Sequence, residues 1–258
     1  MLWPMEKPAD SRNGAIVVFG SAGALGGAIL RRLTEDQPEA SAWIVYRTDA
    51  EPAETLARSV PGTRAAQCDL RRPEDLARLA AEVRSSSGYV RTLVHAAVQI
   101  NVGPLLELGY EAVSAVVHSS GLSLLGVTAA FDDLLQPDST IIYTTSIGSY
   151  RVMPTYGAIG TAKAVGESLV RYLGTELAPR GIRVNAISPG PFVSKAAARV
   201  VGDTEVLMRA TDAAMPRGRR LDFAEIADLV AYLAGPRSSG ITGQVITVDG
   251  GLFHHWQL

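Results

Sequence analysis

Short apolar runs rich in β-branched residues alternate along the chain with longer segments in which apolar residues recur every three to four positions. The short runs predict β-strands at residues 15–19, 43–46, 64–67, 92–96, 140–145, 183–187 and 245–248. Helical patterns lie between them, including residues 25–34, 73–84, 110–135 and 154–178. Repeated strand–helix units predict a parallel sheet with helices on both faces. We therefore expect a single-domain α/β protein built on a doubly wound parallel sheet.

Composition and charge narrow the class of protein. The chain has 258 residues with 24 basic and 26 acidic side chains, a net charge of −2, and no basic cluster that would indicate a nucleic-acid surface. No apolar run reaches the roughly 20 residues of a membrane span. The N-terminus lacks the pattern of a secretion signal, and the single Cys68 can form no internal disulfide. We expect a cytoplasmic protein without nucleic-acid or membrane partners and without a metal site, with a flexible segment at residues 1–13 and one domain at 14–258.

A glycine-rich loop follows the first predicted strand and opens the first helix. Three glycines recur in it as G-x-x-G-x-x-G within F-G-S-A-G-A-L-G-G. Backbone N–H groups and the helix N-terminus in such a loop can face a pyrophosphate. A tight strand-to-helix turn without a ligand would have the same composition. On the first interpretation, the cofactor-binding residues of the loop are Gly20, Ser21, Gly23, Ala24, Leu25 and Gly26.

Several further motifs follow in order along the chain. They are C-D-L at 68–70, L-V-H-A-A at 93–97, the Ser146/Lys163 pair, R-V-N-A-I-S-P-G at 183–190 and I-T-G-Q-V-I-T-V-D-G-G at 241–251. With the glycine loop, this set resembles the short-chain dehydrogenase/reductase family from Gly20 to Gly251. The resemblance implies a Rossmann fold, a nicotinamide cofactor, and a substrate lid at about 191–218. A flat apolar ligand would fit against Met208, Met215, Val206 and Leu207 in this lid, but an ordinary amphipathic surface helix would show the same residues.

The resemblance also assigns cofactor contacts. The adenine would be flanked by Asp69 and Leu70, and the ribose and nicotinamide side would be lined by Ala96 and Ala97. The nicotinamide pocket would be shaped by Pro189 and Gly190. The nicotinamide ribose would be bound by Lys163.

Arg47 lies just past the second predicted strand. An acidic residue there would bind a free ribose 2′-hydroxyl, whereas a guanidinium favours a 2′-phosphate. We therefore expect NADPH as the cofactor, with NADH as the alternative if Arg47 is only an exposed loop residue.

The catalytic pattern of the family is incomplete. It requires Ser, Tyr thirteen residues later, and Lys four residues after that. Counted from Ser146, Lys163 is present but position 159 is Ile. The Ser146 hydroxyl could donate to a substrate carbonyl, while Lys163 keeps only its ribose contact.

Tyr156 offers a substitute for the missing tyrosine. On a helix beginning near residue 154 it would share a face with Ile159 and Lys163. Its spacing, Y-x6-K, resembles that of the divergent enoyl reductases of fatty-acid synthesis. That subgroup has a differently built glycine loop and usually a second tyrosine at the position of Ser146, and Tyr156 could instead be only a pocket wall.

His95 and His118 are two further candidate proton donors, since imidazole titrates near neutrality. His95 stands in H-A-A-V, where the family usually has N-N-A-G. His118 falls near the helix asparagine that normally holds a proton-relay water. A lone histidine is more often structural, so this alternative stays open.

Three functions remain open from the sequence. The preferred one is an NADPH-dependent ketoreductase acting on an aromatic polyketide in antibiotic biosynthesis, whose peri-hydroxyl group supplies the proton. The second is an enoyl-type reductase that uses Tyr156. The third is a non-catalytic NADP(H)-binding sensor or partner protein. The resemblance also implies a homodimer or homotetramer, and the apolar lid indicates a small apolar or aromatic substrate.

Overall fold

A computed structural model describes residues 14–192 and 204–254 of the chain. The expected flexible segment at residues 1–13 lies outside these ranges. Seven parallel strands form one sheet in the order β3-β2-β1-β4-β5-β6-β7, which confirms the predicted doubly wound architecture. The strands are β1 (Ala15–Phe19), β2 (Ala42–Tyr46), β3 (Thr63–Gln67), β4 (Val90–His95), β5 (Leu135–Thr144), β6 (Arg183–Pro189) and β7 (Val245–Val248).

Helices cover both faces of the sheet. One face carries α1 (Ala24–Asp36), α2 (Glu51–Ser59) and α8 (Phe223–Ala234). The other carries α3 (Pro73–Ser87), α5 (Ser123–Ala130) and α6 (Gly157–Glu176). Two more helices are α4 (Leu105–Val117), which packs against α6, and α7 (Thr204–Ala214). The side chains of β1 alternate between the two cores and are all buried, as expected for a central parallel strand.

The helix predicted at residues 110–135 is wrong in its extent. The structure has α4, then a π-helical turn at His118–Leu122, then α5. Leu135 does not end a helix but begins β5, where it pairs with Val90. Apolar periodicity misled the prediction because Phe131 and Leu134 are buried in a short turn between α5 and β5.

The helix predicted at residues 154–178 is confirmed but begins later, at Gly157. Thr155 has a left-handed φ of 63°, which interrupts a right-handed helix. Tyr156 is therefore the N-cap of α6 and not a residue within its first turn.

The continuous helical stretch Leu105–Ala130 is long and apolar enough to cross a membrane by composition alone. Part of that stretch is buried against α6 and α3 inside the fold. A core helix of a globular protein passes the same test, so this stretch is weak support for a membrane span.

Candidate active site

The candidate residues gather at the carboxyl edge of the sheet. Gly20 follows β1, Ala96 follows β4, Ser146 follows β5, and Gly190 follows β6. Because all strands are parallel, these four positions lie at one edge of the sheet, where doubly wound folds bind their ligands.

The glycine loop after β1 has the shape of a phosphate cradle. Gly20 has a left-handed φ of 84°, and a Cβ there would lie 2.7 Å from the backbone nitrogen of Ala97. The N-cap of α1 is Gly23, with no side chain to cap the first N–H groups of the helix. Free N–H groups at a helix N-terminus and the absence of side chains fit a pyrophosphate.

Two side chains predicted for this loop turn inward. The Ser21 hydroxyl donates to the Val18 carbonyl oxygen at 2.8 Å, and Leu25 is buried in the core below the loop. Their side chains shape the loop, so any contact with a phosphate falls to backbone atoms.

A cleft of about 460 Å³ lies beyond the ends of β2, β3 and β4. Arg47, Asp69 and Arg71 line one side, and residues 98–101 line the other. The Arg71 guanidinium donates to both carboxylate oxygens of Asp69, at 2.9 and 2.5 Å, and holds the pKa of Asp69 at about 2. Leu70 packs on the core instead of lining the cleft.

The Arg47 guanidinium is exposed in this cleft. Among the residues that the structure describes, no group forms a hydrogen bond with it. Arg71 is already engaged by Asp69, so Arg47 is the guanidinium available to an incoming anion.

The strand ends of β4, at the centre of the sheet, and of β6, nearer its other side, also contribute to this edge. The Ala96 N–H donates to the Phe19 carbonyl at 2.9 Å, and the Gly190 N–H donates to the Val248 carbonyl at 2.9 Å. These bonds fix the backbone at both positions. The assignment of Ala97 and Pro189 to the nicotinamide side stays a prediction from the resemblance.

Two hydroxyl groups meet beyond the end of β5. The phenol of Tyr156 lies 3.4 Å from the Ser146 Oγ and donates to it. Burial raises the pKa of the Tyr156 phenol, although the Ser146 contact opposes that shift, so the phenol stays protonated at neutral pH. The Tyr156 hydroxyl therefore lies next to Ser146, and both alternatives for its role stay predictions.

Gly148 makes room for the Tyr156 ring. A Cβ on Gly148 would lie 2.5 Å from two ring carbons of Tyr156, closer than side-chain carbons approach one another. The same residue donates its N–H to the Ser146 Oγ at 3.3 Å. One glycine thus contacts both members of the hydroxyl pair.

Lys163 lies on α6 with its side chain buried. Its Nζ donates to the Thr144 carbonyl oxygen at 2.7 Å, at the end of β5. Burial lowers the pKa of Lys163 to about 7, while the charge of Glu167 opposes the shift. The side chain is fixed at the strand end beside Ser146, where the resemblance expects a ribose contact.

Ile159 does not leave a polar gap where the family tyrosine would stand. It is buried with Val116, Ala158 and Ala162 in a small apolar cluster, against which Tyr156 also packs. The buried side chains of that cluster are apolar, so they offer no hydrogen-bond partners to water molecules that would relay a proton through this position.

Of the two histidines, His95 lacks the properties of a catalytic acid. His95 is fully buried, contacts the Ser123 hydroxyl at 2.8 Å, and has its pKa lowered to about 3 by burial and by the charge of Lys163. It stays neutral at working pH. His118 is exposed at the start of the π-helical turn.

The predicted lid is only partly described, since residues 193–203 lie outside the described ranges. Met208 and Met215 are buried, while Val206 is exposed. The side chain of Leu207 is not among those described. The proposed role of these residues in binding a flat ligand stays a prediction.

Three features of the site were missed from the sequence. Arg71 could have been suspected, since it lies two residues after Asp69. The sequence around Gly148 does not show that this glycine makes room for the Tyr156 ring, and the sequence around Tyr143 does not show that it lies beside Lys163. Both features depend on contacts between separate elements.

Comparison with known proteins gives a consistent family. The family model described as "Enoyl-(Acyl carrier protein) reductase" matches residues 20–253. The chain is 29% identical to an enoyl-[acyl-carrier-protein] reductase [NADH] 1 of Rhizobium meliloti, over 94% of this chain and 90% of that one.

Solved structures of similar shape come from two activities. An enoyl-[acyl-carrier-protein] reductase (NADH) of Aquifex aeolicus VF5 superposes with a TM-score of 0.86 at 24% identity, covering 96% of this chain and 99% of that one. A single-residue variant of the actinorhodin polyketide ketoreductase, solved with NADPH, superposes with a TM-score of 0.85 at 26% identity, covering 94% and 98%. The first of these likenesses shows the fold alone.

Proposed function

We propose that this chain, which belongs to the enoyl-(acyl carrier protein) reductase family of the short-chain dehydrogenases/reductases, reduces a carbon–carbon double bond conjugated to a carbonyl. Membership of the family makes it an NAD(P)H-dependent oxidoreductase, so the non-catalytic alternative is not retained. The observation that carries the proposal is the contact between the hydroxyls of Tyr156 and Ser146 at the carboxyl edge of the sheet.

A nicotinamide cofactor held by the glycine loop and Lys163 would supply a hydride to the β-carbon of the double bond. Electrons then move onto the carbonyl oxygen, and a hydrogen-bond donor beside that oxygen stabilises the developing negative charge. The protonated phenol of Tyr156 is the donor that this site offers. The product is saturated once its α-carbon takes a proton from solvent.

Ser146 holds the phenol in place before substrate arrives. Its Oγ accepts from Tyr156 and from the Gly148 N–H, so the serine proton is free to point toward the same carbonyl. In this proposal, Tyr156 is the principal donor and Ser146 a second one. Lys163 binds the nicotinamide ribose.

NADPH is the proposed cofactor. The support is Arg47, whose guanidinium is exposed in the cleft beyond β2 and β3 and forms no hydrogen bond with a described residue. A 2′-phosphate would give its guanidinium a charge-assisted contact. The names of the enoyl reductase relatives specify NADH, so the two cofactors must be compared directly.

Reduction of an aromatic polyketide ketone is the second candidate. Its support is the likeness to the actinorhodin polyketide ketoreductase and the apolar Ile159 in the tyrosine position. In this reaction the peri-hydroxyl of the substrate supplies the proton. Tyr156 would then be a wall of the pocket.

The purified protein should be tested against both substrate classes by following NADPH and NADH oxidation. We expect turnover of a trans-2-enoyl thioester, offered on coenzyme A and on acyl carrier protein, and none of 8-hydroxy-1-tetralone. Turnover of the hydroxyketone, but not of its O-methyl ether or of the enoyl thioester, would establish the second candidate and overturn the first.

A cytoplasmic homo-oligomer is part of the proposal. Its support is a set of exposed apolar side chains on α6 and on the stretch from the π-helical turn to α5, namely Leu122, Leu125 and Tyr172. Light scattering coupled to size-exclusion chromatography should give a mass two or four times the 27.3 kDa of one chain. A monomer at micromolar concentration would refute this part of the proposal.

A further inference from the structure

Tyr143 is a buried aromatic residue of β5 that the proposed reaction does not use. Its side chain has no exposed surface. The hydroxyl donates to the Ser120 carbonyl oxygen at 2.5 Å, within the π-helical turn. A Cβ at Gly166 would run into the Tyr143 ring, so α6 has room for this ring only because residue 166 is glycine. The ring is thus fixed from three elements.

The face of this ring lies below the Lys163 ammonium. Lys163 Nζ is 4.8 Å from the centroid of the Tyr143 ring, within the range of a cation–π contact. Its only hydrogen bond to a described residue is the one to the Thr144 carbonyl. The nearby Glu167 carboxylate instead accepts from the Thr145 hydroxyl at 2.6 Å. An ammonium buried without an ion pair needs another source of stabilisation.

We propose that Tyr143 is a positioning residue, whose ring face holds the charged Nζ of Lys163 at the end of β5. The inference rests on the proposed function only in that Lys163 binds the nicotinamide ribose. A charged, fixed ammonium presents its remaining N–H groups to the ribose hydroxyls. Without the ring, Lys163 loses its proton more readily and its side chain is held only by Thr144.

The charged and titratable groups around Lys163 come from three elements. Glu167 lies on α6 itself, Tyr143 lies on β5, and His95 lies on β4, next to Tyr143. His95 is neutral and the Tyr143 phenol is protonated, since burial lowers the pKa of the first and raises that of the second. Among the described residues, Glu167 is therefore the single charged neighbour, and changing Tyr143 leaves its charge unaltered.

The chain suits a direct measurement, because it has only three lysines, Lys7, Lys163 and Lys195. Protein labelled with ¹³C-lysine gives three Cε signals, and Lys163→Arg identifies the one from Lys163. The pH titration of that signal reports the charge of Lys163 in the absence of substrate and cofactor.

Three proteins should be compared by this titration: the wild type, Tyr143→Phe and Tyr143→Leu. Phenylalanine keeps the ring face and removes the hydroxyl, so we expect a midpoint close to that of the wild type. Leucine removes the face, and we expect the midpoint to fall by about one pH unit, since a desolvated cation–π contact has roughly that effect. Affinity for NADPH at pH 8 should fall in parallel for Tyr143→Leu alone.

If Tyr143→Leu does not fold, a variant that keeps an aromatic ring at position 143 still tests the inference. Replacing Tyr143 by 3,4,5-trifluorophenylalanine keeps the ring volume and weakens the negative charge of its face, so it should lower the midpoint relative to Tyr143→Phe. Equal midpoints in these two proteins would overturn the inference, because a ring that only fills space is insensitive to fluorination. Failure of the wild type to bind NADPH would instead count against the proposed function and would leave the titration result intact.

Discussion

Replacing Gly148 by alanine should displace the Tyr156 ring from Ser146 while leaving the cofactor loop untouched. The new Cβ would lie 2.5 Å from two ring carbons, whereas ordinary contact begins near 3.4 Å. The ring must therefore move by about 1 Å. The hydroxyl of Tyr156 is already 3.4 Å from Ser146 Oγ, and a further displacement of this size breaks the contact.

Misplacement of a catalytic group by about 1 Å can cost about 100-fold in rate. We expect Gly148→Ala to lower kcat/KM for the enoyl thioester by about that factor, with the KM for NADPH unchanged. Gly240→Ala is the matched control, because nothing lies within 4 Å of its Cβ position. Steady-state kinetics and thermal unfolding should be measured on both. If Gly148→Ala folds and keeps its activity within about threefold of wild type, the seating of Tyr156 by Gly148 is refuted.

Three further predictions concern the cofactor and the buried lysine. Arg47→Ala should raise the KM for NADPH by about 10- to 100-fold, the range of a lost charged hydrogen bond, and leave the KM for NADH unchanged. Arg72→Ala is the control. Equal effects of Arg47→Ala on the two KM values would contradict the assignment of Arg47 to the 2′-phosphate. Gly20→Ala should destabilise the fold by about 2 kcal/mol and abolish NADPH binding, because the new side chain meets a left-handed φ and a backbone clash at Ala97. Normal NADPH binding in a fluorescence titration would count against the glycine loop as the phosphate-binding site. Lys163→Met should stabilise the protein more at pH 6 than at pH 10.5, by up to about 5 kcal/mol. The reason is that the unfolded lysine, with a pKa near 10.5, still binds a proton that the folded lysine releases above about pH 7. If denaturant unfolding gives the same difference between the two proteins at every pH, the pKa of Lys163 is not depressed.

The sheet and its ligand edge were predictable from the sequence because they depend on local patterns. Short β-branched runs such as residues 15–19, bounded by glycine, favour a buried strand. Where a pattern was ambiguous, as around Leu135, helix and strand could be separated only by the pairing of that residue with Val90. The left-handed Thr155 likewise has no signal in the sequence, and it decides where α6 begins.

The sequence names candidate members of the site, whose roles stay predictions, but it does not give their arrangement. The spacing of Ser146, Tyr156 and Lys163 left two uses for Tyr156 open, and the sequence favoured the one in which it does no chemistry. The position of the phenol, whose ring packs next to Gly148, bears on that choice, but its role in catalysis stays a prediction. His95 could be rejected as an acid only once its burial was known, because its sequence context resembles a family motif.

The most direct test is the effect of Tyr156→Phe on enoyl thioester reduction, with the exposed Tyr150→Phe as a control in the same loop. A donor to a developing oxyanion contributes about 10² to 10³ in rate. We predict a loss of that size in kcat for Tyr156→Phe, with NADPH binding retained and Tyr150→Phe unaffected. Equal rates for Tyr156→Phe and wild type would contradict the account, since the hydrogen bond to the carbonyl oxygen would then have to come from the substrate or from elsewhere in the chain.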